Sequence, residues 1–130
     1  AAAAASLENA RRALSEGSLK AALSSALLAV KMDPLSAEGW EILGLLHRQA
    51  GQPREAEHAL RRLLYLDPEW PLAHFHLAAL FREANRPDDA RREYANAARL
   101  LAAMPPDTVV GGVTADLMLR ACRQFVESAG

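Results

Sequence analysis

One cysteine, three phenylalanines, two tryptophans and two tyrosines are all that this 130-residue chain contains of those types, and each scarcity excludes something. A single thiol, Cys122, rules out an internal disulfide and every metal site built from several cysteines, and it fits a reducing, cytoplasmic setting. With 5% aromatics in a chain that is 51% hydrophobic, a core has to come from Ala and Leu. That favours close-packed helices over a β-sandwich. An excess of one charge is missing as well: the net charge is −1 with acids and bases interleaved. There is no basic field for nucleic acid and no polybasic tract for a membrane surface. No apolar run approaches the roughly 20 residues of a membrane-spanning helix, and no basic-then-apolar segment reads as a signal. Ala1 to Ala5 open the chain without a Met. They read as a truncation boundary, so the chain is expected to be a piece of something longer, and its length suggests one domain.

What is present is a period. Offset by 34 residues, Asp33-Pro34 falls on Asp67-Pro68, Gly17 falls on Gly51 and then Asn85, and Ala22 falls on Ala56 and then Ala90. Leu43-Gly44 falls on Leu77-Ala78. Such a spacing, with small residues at fixed positions, is the signature of a helix-turn-helix solenoid. Gly17, Gly51 and Asn85 suit the left-handed conformation that closes one helix before the next. Pro53 and Pro87 follow two residues later, in a first turn where a missing N–H matters little. Asp33 and Asp67, each before a proline, are pushed out of the helical region. The spacing predicts helices at about 3–16, 19–32, 36–50, 53–66, 70–84 and 87–103. A Pro/Gly linker, 105–114, then leads to a seventh helix over 115–128, with Thr114 as N-cap and Asp116 favourable to the helix dipole.

These residues resemble the tetratricopeptide repeat (TPR) family. Trp40, Leu43, Gly44, Gly51, Ala56, Leu60 and Pro68 of the middle repeat stand where that family's pattern wants their types. The first repeat departs from it at Ser6 and Asn9, and the third at His74. The resemblance implies an all-α fold: three repeats, about 3–36, 37–70 and 71–104, in a right-handed superhelix closed by a C-terminal capping helix. Folding back into the superhelix groove as an internal, displaceable ligand is the other role open to that last helix.

The candidate chemical sites reduce to scaffold. His74 and His76, two residues apart, lie about 200° apart around a helix axis and cannot share a metal, which on one helix needs a spacing of four. His47 and His58 have no carboxylate or Cys companion at ligand spacing, so no metal or cofactor is expected. Cys122 lies on the apolar stripe of the last helix with Met118, Ala121 and Phe125, and a buried Cys is an inert small hydrophobe. Asp88-Asp89 open a helix, where the dipole accounts for carboxylates. No nucleophile elbow, phosphate-binding loop or dinucleotide fingerprint occurs, and no enzyme is read here. What remains is surface. In the TPR resemblance the first helix of each pair lines a concave groove, here Leu7, Arg11 and Leu14, then Glu38, Glu41, Leu45 and Arg48, then Leu72, Phe75, Ala79, Arg82 and Glu83. Phe75 is the expected anchor, with Arg48 and Arg82 for carboxylates. The Lys-based clamp by which some TPR domains hold a C-terminal carboxylate has no counterpart, since no Lys follows Lys31.

A narrower resemblance covers about half the chain. Tyr65 to Pro68, Ala73 to Leu77, Arg91 to Ala97 and Gly112 to Leu117 are similar to the C-terminal TPR region of CheR-type chemoreceptor methyltransferases, and the Ala- and Arg-rich composition suits a Frz-like system of gliding bacteria. The resemblance implies a non-catalytic module that regulates a methyltransferase by binding a protein partner: a receptor, a signalling protein, or the parent S-adenosylmethionine-dependent domain. None of that domain's cofactor or catalytic residues has a counterpart here. A scaffold or assembly TPR from an unrelated bacterial pathway, secretion for example, is the alternative, and a purely oligomerising solenoid is a third.

Overall fold

The computed structural model describes residues 2–128 and is nearly all helical. Among the described residues seven helices run α1 (Ala2–Ser15), α2 (Leu19–Met32), α3 (Ala37–Gln49), α4 (Pro53–Leu66), α5 (Pro71–Glu83), α6 (Pro87–Ala102) and α7 (Ala115–Ser128). The 34-residue period is visible in the backbone. Gly17, Gly51 and Asn85 all have positive φ, at 83°, 72° and 61°. Each closes its helix in the same way. The following N–H reaches back five residues, Ser18 to the Ala13 carbonyl, Gln52 to His47 and Arg86 to Phe81, at 2.8, 2.9 and 2.8 Å. This is the Schellman arrangement, which satisfies carbonyls that the helix itself leaves unpaired.

The next helix starts by one of two means. Ser18 and Ser36 cap α2 and α3, their hydroxyls accepting from the Ala21 and Gly39 N–H at 3.4 and 3.1 Å. Pro53, Pro71 and Pro87 instead begin α4, α5 and α6, where the fixed φ is already helical. Asp33 and Asp67 sit outside the helical region at ψ 83° and 92°, as a residue before proline must.

Two compact units divide the chain, Ala1–Pro68 and Glu69–Gly130. In the first, α1 packs on α2, α2 on α3 and α3 on α4. Its core is made of Ala10, Ala22, Ala26, Val30, Leu43, Leu46 and Ala59, small side chains that let helices approach closely. At Gly44 the approach is close: a Cβ there would stand 3.0 Å from the Leu60 side chain. In the second unit α5 packs on α6 and α6 on α7, burying Leu77, Tyr94, Ala97, Leu101 and Cys122.

The 105–114 stretch is more than a linker. β1 (Val109–Val110) and β2 (Val113–Thr114) pair antiparallel, Val109 opposite Thr114 and Val110 opposite Val113. Gly111 and Gly112 make the turn at φ 61° and 85°, the pair of positive values that a type I′ two-residue hairpin turn requires. The hairpin is tied down at its base, where the Ala115 N–H donates to the Thr108 carbonyl at 2.7 Å and the Asp116 N–H to that of Pro106 at 3.0 Å.

Candidate functional site

In the first unit the groove positions expected from the repeat fall on α1 and α3. Arg11 and Glu38 form an ion pair between these helices, so the first helices of two successive repeats do present charged side chains to each other. Arg11 also bonds Glu8, one turn earlier on α1, at 3.5 Å. Leu14 is 40% exposed, whereas Leu7 is buried. Glu41, Leu45 and Arg48 are half-buried.

In the second unit the corresponding positions are partly occupied by the chain itself. The hairpin tip rests on Leu72: a Cβ added to Gly111 would meet Leu72 Cδ2 at 2.8 Å and Met118 Cε at 3.4 Å. Phe75 is half-buried and lies edge-on to Tyr94, ring centroids 5.7 Å apart. Tyr94 in turn is stacked by Phe125 of α7, at 4.5 Å and 17° between planes. Arg82 is exposed and places its guanidinium 4.4 Å from the Phe125 ring centroid, a cation–π contact. Ala79 is buried and Glu83 exposed. α7 thus lies along α6 and reaches the α5 positions through Phe125.

The histidines serve packing. His74 is buried, and its Nδ1 lies 2.7 Å from Glu93 Oε1 of α6, which also accepts from Asn96. His47 is buried with Nδ1 2.7 Å from Gln52 Oε1, so it fastens the turn that Gly51 makes. His76 is half-buried. Among the described residues no group of three His, Cys, Asp or Glu could hold a metal ion. Cys122 is fully buried, and burial pushes its thiol up from 9.0 to about 11. Asp89 at the start of α6 is held below its ordinary value, first by its hydrogen bond from Arg86, with Arg92 adding to the effect. No helix among the described residues is long and apolar enough to cross a membrane.

One feature escaped the reading of the repeat. A pocket of about 430 Å³ opens in the first unit between α2 and α4, floored by Val30, Leu43 and Ala59 and walled by Leu27, Trp40 and His58. Its signal was present in α4, where Arg54, His58 and Arg62 recur every fourth residue on one face. The repeat pattern hides it, because Trp40 and Leu43 are family positions that read as core.

The tetratricopeptide repeat model matches residues 37–70, the span of the middle repeat. No curated protein matches the chain. Among solved structures, the Yersinia enterocolitica type III secretion chaperone SycD, in complex with a peptide of the translocator YopD, is 17% identical with a TM-score of 0.84, over 95% of this chain and 88% of that one. PcrH, a Pseudomonas aeruginosa protein, in complex with the chaperone-binding region of PopD is 18% identical with a TM-score of 0.81, over 92% and 84%. A mutant O-GlcNAc transferase from Thermobaculum terrenum is 24% identical with a TM-score of 0.71, over 78% of this chain and 20% of that one. At such identities the likeness establishes the fold, a TPR-like helical repeat. The matching model is that of a repeat and indicates no catalytic family. The resemblance to chemoreceptor methyltransferases is not supported by these comparisons, whose neighbours include secretion chaperones.

Proposed function

We propose that this chain is a non-catalytic interaction module that holds a segment of a protein partner against the faces of α1 and α3 carrying Arg11, Leu14, Glu38, Glu41, Leu45 and Arg48. The observation that carries this reading is the Arg11–Glu38 pair. It links side chains of the first helices of two repeats, with exposed Leu14 and half-buried Leu45 available to an incoming chain. Phe75, Arg82 and Glu83 of α5 are further contact positions in the second unit, while Leu72 is already met by the hairpin tip.

A chaperone-like role in the cytoplasm is the version we favour, because two neighbours of the same fold were solved with a peptide or region of a partner protein. A photo-crosslinking side chain placed at Leu14 or Leu45 tests the reading in cells of origin. The same polypeptide should be trapped from both positions and not from Lys20, an exposed residue of α2. No adduct from either position would overturn it. A second reading, the appendage of a receptor methyltransferase, rests on the segment Tyr65 to Leu119. It requires the trapped polypeptide to be a receptor or a methyltransferase domain.

A further inference from the structure

Trp40, Leu43 and His47 stand at helical spacing on α3, roughly opposite Glu38, Glu41, Leu45 and Arg48 at about 100° per residue. They open onto the α2–α4 pocket rather than onto the face discussed above. That pocket is apolar where it is deep. Val30, Leu43 and Ala59 are all buried beneath it, and Leu27 at its edge is 47% exposed. The Trp40 indole N–H is already spent on the Pro34 carbonyl at 2.8 Å, so the indole meets an incoming group as carbon surface. His58 stands edge-on to it at 6.2 Å. The volume, about 430 Å³, lies within the usual range for a built recess and admits one large apolar side chain with room to spare.

Charge decides what the rest of the occupant must be. Arg54 lines the pocket, and one helical turn apart along α4 come His58 and then Arg62. The Arg62 guanidinium lies 5.5 Å from the Trp40 ring centroid and 5.8 Å from that of Tyr65, which is 80% exposed. Among the described residues neither Arg54 nor Arg62 is paired with a carboxylate, in contrast to Arg61, which bonds Glu57 at 2.8 Å. Glu55 is the single acid of the lining. Two uncompensated guanidiniums beside an apolar recess are complementary to carboxylates flanking an apolar anchor.

We propose that this pocket and the Arg54–His58–Arg62 row form a second docking site, which takes an acidic segment of another protein presenting one large apolar side chain. The site is separate from the face of the proposed function and does not depend on it.

Fluorescence anisotropy on the whole chain tests this, with a fluorescein-labelled peptide of Asp and Glu around one central Phe as probe. The peptide should bind, and added salt should weaken it. Arg54→Glu with Arg62→Glu, changes at an exposed and a half-buried position whose folding circular dichroism checks, should weaken it by about tenfold or more, as should replacing the peptide's Phe by Gly. Arg48→Glu, on the other side of α3, should leave it unchanged while impairing capture at Leu45, so the two readings fail separately. Equal binding of a Lys-based peptide, indifference to the double charge reversal, no binding at millimolar peptide, or equal competition by a single-stranded oligonucleotide would each overturn the proposal.

Discussion

Asn85 is the non-glycine residue of positive φ among those described, at 61°, and it occupies the place that Gly17 and Gly51 hold in the earlier repeats. At Gly51 nothing lies within 4 Å of where a Cβ would stand, so a side chain there meets strain in the backbone and no clash. Gly51→Ala should therefore lose about 1–2 kcal/mol of stability, the left-handed penalty, in urea unfolding. Gly51→Asn should lose clearly less, since Asn tolerates that region; equal losses would show that something other than φ is at stake. Cys122 gives the second residue-scale expectation. Its thiol deprotonates near 11 in the folded chain against 9.0 otherwise. Below pH 9 both states keep the proton. Between 9 and 11 the unfolded chain gives it up first, the folded state then binds more protons, and stability falls as pH rises. Wild type should lose stability across that window more steeply than Cys122→Ala, and parallel curves would refute the assignment.

At the scale of elements, Phe125 adds an aromatic contact to the buried Ala115, Met118 and Cys122 of α7. It stacks on Tyr94 and lies under Arg82. Phe125→Ala should lose about 2 kcal/mol, from apolar burial together with the aromatic pair; a loss near zero in thermal or urea unfolding would mean that α7 is held elsewhere. The helices themselves were legible in the sequence to within about a residue or two, because Gly17, Gly51, Asn85, Pro53 and Pro87 mark their ends by backbone chemistry that needs no tertiary contact. The hairpin was not, although Val109-Val110-Gly111-Gly112-Val113-Thr114 carries its signal: β-branched residues on either side of a two-glycine turn. Strands of two residues are too short for alternation to show. The same gap limited the site. A repeat register says which face Leu72 and Phe75 occupy, but only the fold shows that a later hairpin tip and the Tyr94–Phe125 stack stand beside them.

At the scale of the whole chain, the division after Pro68 coincides with the second Asp-Pro break. The second unit buries a set of its own, including Tyr94, Leu101 and Cys122, with α7 laid along α6. Residues 69–130 expressed alone should give a helical circular dichroism spectrum and a cooperative melt; a gradual melt would show that this burial needs residues 1–68. The sealed position of the one thiol has a practical consequence for such work. A cysteine introduced at an exposed position will outpace Cys122 in any maleimide reaction at neutral pH, so dyes can be attached to native-background protein one surface at a time. Leu14→Cys and Glu55→Cys, the latter at an exposed residue of the pocket lining, would place a reporter at each of the two candidate faces, and a ligand that quenches one colour and spares the other would identify its address without a structure of the complex.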